Sequence, residues 1–94
     1  LGWFSSLEKR ERKFLHRYVE GSGKQFVCNF MEYAWASAAH TAITPMQDVL
    51  GLGSDARMNT PGVASGNWGW RFTWAQLRPN HKRFLKQITE KYNR

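Results

Sequence analysis

The sequence predicts an α/β chain, because helical segments surround one short stretch with the composition of a buried strand. Apolar residues recur at helical spacing in three regions of the 94-residue chain. Between the second and third regions, the stretch Thr41 to Thr44 is β-branched or apolar, and Pro45 and later glycines end it. A chain of this length holds one small domain with one modest core. The predicted order is helix, helix, strand, long loop and helix.

The first predicted helix begins near Ser5 and ends at Gly21. Ser5 and Glu8 have the spacing of a capping box, and charged residues occupy the outer face. The second helix follows Ser22 and is predicted to be mostly buried, because its apolar stripe is broad. That stripe consists of Phe26, Val27, Phe30, Met31, Ala34, Trp35 and Ala38.

The predicted strand is confined to Thr41 to Thr44 or lies at a bulge, because Pro45 has no N–H to donate to a central ladder. A single strand between helices cannot pair its own backbone N–H and C=O groups. Either further strands precede Leu1 or the strand assignment is wrong, and we favour the first. The sequence also starts without methionine, so we expect it to be part of a longer protein.

A long loop and a final helix complete the predicted chain. Between Gly51 and Gly66, glycines interrupt any helical or strand periodicity of apolar residues, so this stretch is predicted to be a loop. Loops of this length are more often functional than short ones. Pro79 suits the first turn of a helix. The inner face of this helix is predicted to consist of Phe84, Leu85, Ile88 and Tyr92.

Charge and cysteine content exclude several classes of function. The net charge of +7 would favour a nucleic-acid partner, but the densest charged runs, Glu8 to Lys13 and His81 to Arg83, lie on predicted helix faces. We therefore expect no nucleic-acid partner. The single cysteine, Cys28, permits no internal disulfide, which favours a reduced compartment. No apolar run approaches the ~20 residues of a membrane span, so we expect no membrane partner.

The sequence contains no visible metal or catalytic constellation. His16, His40, His81 and Cys28 lack the spacing of metal ligands, so we expect no metal and no cofactor. Paired carboxylates usually cleave glycosidic bonds. Four of the seven acids, Glu8, Glu11, Glu20 and Glu90, belong to charged helix faces, and Glu32 lies at a helix edge. Asp48 follows the predicted strand, where α/β enzymes place their sites, but it and Asp55 also suit capping of loop N–H groups.

The loop carries the side chains best suited to a sugar ligand. Amide and guanidinium groups that can bind hydroxyls come from Gln47, Arg57, Asn59 and Asn67. Trp68, Trp70 and Trp74 offer flat faces on which a pyranose can stack. The alternation of these residues with Phe72 is equally typical of an extended segment that packs one face into a core. We favour packing for Trp70 and Trp74, and leave Trp68 open.

The run TPMQDVLGLGSDARMNTPGVASGNWGWRF closely resembles the carboxy-terminal part of 4-α-glucanotransferases of the amylomaltase or disproportionating-enzyme family. The segment LGWFSSLEKRERKFLHRYV is similar to the region shortly after the last catalytic aspartate of that family, so the likeness covers essentially the whole chain. It implies the carboxy-terminal fragment of a (β/α)8 TIM barrel of the α-amylase superfamily, with late helices, strand eight, the long loop and the closing helix. The missing partners of the predicted strand would be strands seven and one.

This resemblance also implies a reaction and its partners. Family members transfer α-1,4-glucan segments between maltooligosaccharides by a retaining double displacement that uses two aspartates and a glutamate. All three would precede Leu1, so this chain is expected to hold no catalytic residue and to be inactive alone. The implied partners are α-1,4-glucans, including starch and glycogen, and the missing amino-terminal part of the same enzyme. The implied location is the cytoplasm, or the plastid stroma in a plant.

On the same likeness, residues 51–74 form a substrate-groove loop and its anchor. The resemblance assigns substrate binding to Arg57, Asn59, Thr60, Pro61 and Trp68, with Asn59 the best candidate for a bond to a sugar hydroxyl. Thr60 stands where relatives often have an aromatic residue, which favours hydrogen bonding or shape over stacking. Loop anchoring is assigned to Asn67, Trp70 and Arg71. The alternative is a non-catalytic glucan-binding module that uses the aromatics of Trp68 to Trp74, and a basic nucleic-acid module ranks last.

Overall fold

The computed structural model describes residues 1–94 and consists of helices and connecting segments. Its principal extents are 39 × 37 × 24 Å. The five α-helices are α1 (Gly2–Ser6), α2 (Lys9–Leu15), α3 (Gly23–Ala36), α4 (Met46–Val49) and α5 (Pro79–Lys91). Single 3-10 turns span Ser54–Ala56 and Trp74–Gln76. Helix α3 packs against both α4 and α5, so it is the central element.

The predicted first helix is two helices, and its predicted start at Ser5 is wrong. Leu7 has extended backbone angles (φ −68°, ψ 146°) and ends α1. Helix α2 has its own capping box, in which the Glu11 carboxylate accepts a hydrogen bond from the Glu8 N–H at 2.8 Å. The break separates two environments: Phe4 of α1 is buried, whereas α2 contains no buried residue.

Helix α3 begins after Ser22, as predicted, and carries most of the core. It is less buried than predicted, because only Phe26, Val27 and Met31 are enclosed. Two small clusters form on it: Phe26 stacks on Phe4 with ring centroids 3.9 Å apart, and Val27 and Met31 contact Val49 of α4. The remaining apolar side chains of the stripe are partly or fully exposed in this chain.

Helix α5 also begins as predicted, with Pro79 in the first turn and Ile88 buried. Its end is fastened to α3 by polar contacts. The Arg94 guanidinium donates to the carbonyl oxygens of Trp35, Ser37 and Ala39 at 2.7, 2.9 and 2.8 Å. These carbonyls belong to the end of α3 and the turn after it, where helical partners are lacking.

The predicted buried strand is absent, so the strand component of the predicted α/β class is not seen within this chain. The backbone N–H and C=O groups of residues 41–44 form no hydrogen bond in the chain, and Ile43 is 87% exposed. Helix α4 begins at Met46, directly after Pro45, in a region assigned to strand and turn. The physical reason is that no second extended segment lies alongside to supply a ladder.

Candidate functional site

A groove of about 380 Å³ lies between α1, the first half of α3 and the segment from Pro45 to Pro61. One wall is aromatic: the rings of Trp3 and Phe30 stack with centroids 6.5 Å apart. Polar groups also line the groove, and they come from Gln47, Asp48, Arg57 and Asn59. The groove therefore combines flat apolar surfaces with hydrogen-bonding groups, as sites for polar organic ligands commonly do.

Gly2 sets the position of the loop relative to α1. A Cβ atom at this residue would lie 2.6 Å from the Ser54 Oγ and 2.7 Å from the Ser54 backbone nitrogen. Only glycine permits this approach, so α1 rests directly on the 3-10 turn that precedes Arg57. No local sequence pattern predicts the role of Gly2 or the stack of Trp3 on Phe30, since these contacts join residues far apart in the chain.

Three of the five predicted substrate-binding residues line this groove: Arg57, Asn59 and Pro61. Thr60 and Trp68 lie outside its lining. Neither the Arg57 guanidinium nor the Asn59 amide takes part in a side-chain hydrogen bond or ion pair of the chain, so both remain available to a ligand. Asp48 also lines this groove, and its carboxylate accepts no hydrogen bond from a loop N–H of the chain.

The loop that follows Arg57 is closed on itself by Asn67. The Asn67 side chain accepts a hydrogen bond from the Thr60 N–H at 2.8 Å and donates one to the Val63 carbonyl at 2.7 Å. At the base of the loop, the Trp68 N–H donates to the Met58 carbonyl. Thr60 therefore contributes its backbone to loop closure, and Asn59 lies inside the closed segment.

Trp68 adopts an unusual backbone conformation where the loop closes. Its φ is 64°, in the left-handed region that a bulky side chain rarely occupies, and its side chain is 64% exposed. Such a conformation costs on the order of 1–3 kcal/mol and persists only where surrounding contacts impose it. The bond from Trp68 to Met58 is one such contact.

Arg71 and an aromatic series follow the closed loop. The Arg71 guanidinium donates to the carbonyls of Trp68 and Trp70 at 3.0 and 2.7 Å. Trp70 stacks on Phe72 with centroids 6.1 Å apart, and Phe72 meets Trp74 edge to face at 5.7 Å. Trp74 is 80% exposed, so the packing favoured for it does not occur within this chain.

The perturbed titratable groups lie away from the groove. Hydrogen bonds from Lys91 and Tyr92 hold the pKa of Glu32 below its usual value, and the same ion pair raises the pKa of Lys91. Burial raises the pKa of the Cys28 thiol. No group of three histidine, cysteine or acidic side chains is placed to hold a metal ion. None of the helices has the length and apolar character required to cross a bilayer.

Comparison with known proteins identifies the family. Residues 1–77 match the model of the 4-alpha-glucanotransferase family. A 4-alpha-glucanotransferase of Thermus thermophilus is 41% identical over 97 residues, which cover 96% of this chain and 19% of that protein. A chloroplastic/amyloplastic 4-alpha-glucanotransferase of Arabidopsis thaliana is 46% identical over 71 residues, which cover 74% of this chain and 12% of that protein.

A solved structure shows the same relationship in three dimensions. Amylomaltase from Streptococcus agalactiae, solved in complex with acarbose, aligns with a TM-score of 0.88 and 35% identity. The alignment covers 98% of this chain and 19% of that chain, so the fold described above is that of a part of an amylomaltase. This chain spans less than a fifth of the length of these relatives. The resemblance in the loop sequence is thus confirmed, and the chain belongs to the 4-alpha-glucanotransferase family.

Proposed function

We propose that this chain is the carboxy-terminal part of the catalytic barrel of a 4-alpha-glucanotransferase and supplies part of its glucan-binding groove. The full-length enzyme would transfer α-1,4-glucan segments between maltooligosaccharides. The observation that carries this proposal is the groove, which Arg57, Asn59 and Pro61 line together with the stacked rings of Trp3 and Phe30. The structure of the amylomaltase from Streptococcus agalactiae in complex with acarbose supports the proposal, because this chain aligns with part of that protein.

The chemistry of the reaction would lie outside this chain. A retaining double displacement requires two carboxyl groups about 5 Å apart. Asp48 is the one acidic residue that lines the groove, so the chain offers no such pair there. The role of these residues would be to bind and orient the glucan: the Asn59 amide and the Arg57 guanidinium donate to hydroxyls, and the aromatic wall contacts the apolar faces of the sugar rings.

The segment 41–44 would be strand eight of the barrel, paired with strands from the rest of the enzyme. The backbone N–H and C=O groups of residues 41–44 form no hydrogen bond in the chain, which supports this assignment. The hydrogen bonds of Asn67 and Arg71, with the stack of Trp70 on Phe72, would anchor the loop. Thr60 and Trp68 would contact a glucan only at the rim, since neither lines the groove.

Replacement of Asn59 in the full-length enzyme tests the proposed site. Loss of a hydrogen bond within a binding site costs about 1–3 kcal/mol, so Asn59→Ala should lower kcat/KM by roughly 5- to 150-fold. Asn80→Ala is the matched control, because Asn80 is exposed on α5 and outside the groove. Unchanged kinetics with both short and long glucans would remove Asn59 from the site. The isolated 94-residue chain should not disproportionate maltotriose, and turnover by it would contradict the division of roles proposed above.

A second candidate function is a non-catalytic glucan-binding module that uses the aromatics between Trp68 and Trp74. The exposure of Trp68 (64%) and Trp74 (80%) favours it, because exposed indole rings can stack on sugars. Titration of the isolated chain with maltoheptaose, followed by tryptophan fluorescence, separates the two functions. A saturable change supports the module, and a flat titration supports the enzyme fragment. Either protein would reside in the cytoplasm or, in a plant, in the plastid stroma.

A further inference from the structure

A second groove, of about 360 Å³, adjoins the candidate site on the α2 side of the molecule. Its lining consists of Trp3, Leu7, Arg10, Glu11, Phe14 and Leu15. Trp3 lines both grooves, and its side chain is 47% exposed. The two grooves are therefore neighbouring stretches of one surface that passes over Trp3. We call the second one the α2 groove.

Phe14, which lines the α2 groove, forms an exposed aromatic pair with Tyr18 outside the lining. Phe14 is 53% and Tyr18 58% exposed, and their ring centroids lie 5.5 Å apart. The Arg17 guanidinium lies 5.7 Å from the centre of the Phe14 ring. Phe14 belongs to α2, a helix with no buried residue, so its ring is not part of the core of this chain.

Two charged residues, Arg10 and Glu11, also line the α2 groove. Arg10 takes part in none of the ion pairs of the chain, and Glu11 uses one oxygen to accept from the Glu8 N–H. Cores of protein interfaces are depleted in such charged residues, which argues against a protein partner. Acidic Glu8 and Glu11 argue against a nucleic acid. A sugar chain suits the combination, since each ring has an apolar face and an edge of hydroxyl groups.

We propose that the α2 groove is a distal binding site for α-1,4-glucan chains, occupied by the part of a long glucan that extends past Trp3. Phe14 is the stacking surface, and Arg10 and Glu11 bind hydroxyl groups. The inference rests on the proposed function, because the near part of the same glucan would occupy the groove that Asn59 lines. A glucan short enough to occupy only the groove that Asn59 lines would make no contact with Phe14, so the α2 groove would act as a determinant of chain-length preference.

The test compares two substrates in the full-length enzyme. Phe14→Ala is expected to raise KM for amylose about three- to tenfold, the effect of one lost aromatic contact, and to change KM for maltotriose less than twofold. Phe14→Trp, which keeps a stacking surface, should restore the amylose KM. Lys13→Ala is the matched control, because Lys13 lies on α2, is exposed and does not line the groove. If Phe14→Ala does not fold, Arg10→Gln serves as the second variant, and it should likewise raise KM for amylose but not for maltotriose.

The outcomes separate this inference from the proposed function. Equal kinetics of Phe14→Ala and wild type on amylose would overturn the distal site, and so would an equal loss on both substrates, since that marks a packing contact with the rest of the enzyme. If Asn59→Ala impairs both substrates while Phe14→Ala impairs neither, the distal site fails and the proposed function stands. If Phe14→Ala impairs amylose and Asn59→Ala impairs neither, the distal site stands and the assignment of Asn59 fails.

Discussion

Asn67 offers the sharpest test of how the loop is held, because one side chain makes both cross-loop bonds. In Asn67→Ala, the Thr60 N–H and the Val63 carbonyl lose partners that now lie at 2.8 and 2.7 Å. A net contribution of about 0.5–1.5 kcal/mol for each bond gives roughly 1–3 kcal/mol for the closed form of the loop. The exposure of Thr60 and Val63 to water places the expected value near the lower end.

This loss should act on substrate binding and not on chemistry. If the glucan binds only the closed loop, KM rises by the factor by which the closed population falls. About 1.4 kcal/mol corresponds to a tenfold change, if the wild-type loop is only marginally closed. The assay is steady-state disproportionation of maltotriose by the full-length enzyme, with kcat and KM determined separately. Asn67→Ala is expected to raise KM up to about tenfold and to leave kcat within twofold.

Asn67→Asp is the matched variant, since a carboxylate keeps the acceptor for the Thr60 N–H but has no donor for the Val63 carbonyl. The KM of Asn67→Asp for maltotriose should lie between the values of the wild type and Asn67→Ala. An unchanged KM in Asn67→Ala would refute the reasoning that this side chain closes the loop. A fall in kcat at constant KM would also refute it, because that pattern belongs to a group that acts in the transition state.

Three further predictions concern the packing of the chain, and all use the full-length enzyme. Gly2→Ala should separate α1 from Ser54 and lower the free energy of unfolding by about 1–3 kcal/mol, measured by thermal unfolding. Gly53→Ala is the control and should be close to neutral, because a Cβ atom there meets nothing within 4 Å. Equal melting temperatures of the two variants would contradict the close contact of Gly2 with Ser54. Arg94→Ala should speed amide hydrogen exchange at residues 35–39, because three hydrogen bonds to carbonyls of this segment are lost. Lys86→Ala should not, since Lys86 forms only an exposed ion pair with Glu90. Unchanged protection at residues 35–39 in Arg94→Ala would contradict a role of Arg94 in fastening α5 to α3. Hydrogen bonds lower the pKa of Glu32 in the folded protein. Its contribution to the free energy of unfolding is therefore present above the ordinary glutamate pKa of about 4.3, and is lost as the pH falls through the lower pKa of the folded state. Glu32→Gln should accordingly flatten the dependence of the melting temperature on pH below about pH 4.3. An unchanged slope there would exclude a stabilising role for this carboxylate.

Local sequence signals predicted the elements whose causes are local. Helix α5 begins at Pro79 because a fixed φ and a missing N–H suit a first turn, and the apolar periodicity correctly placed Ile88 inside. Helix α3 begins after Ser22, as the spacing of serine and apolar residues predicted, although the Ser22 side chain makes no capping hydrogen bond. The ordered run from Gln47 to Arg71 carried the family resemblance that the comparisons confirm.

The expectations that this chain alone does not fulfil are those whose outcome depends on what a segment packs against. β-branched composition predicted a buried strand at Thr41 to Thr44, but a strand requires a partner to pair with its backbone, and this chain provides none. Burial of Trp74 was predicted from alternation alone, which identifies a shared face without saying whether anything covers it. The break at Leu7 separates α2 from the helix that carries Phe4, whose ring stacks on Phe26, a contact that no local pattern reveals.

The sequence by itself determined the family, two of the helices and the loop residues Arg57, Asn59 and Pro61 as candidates for the site. Only the tertiary structure decided that these three line one groove with Trp3, that Asn67 closes the loop, and that Trp3 joins the groove to a second one on α2. The physical reason is that periodicity and motifs record interactions over a few residues. A groove is formed by side chains from separate segments, and the close contact of Gly2 with Ser54 that aligns them spans 52 positions of the chain.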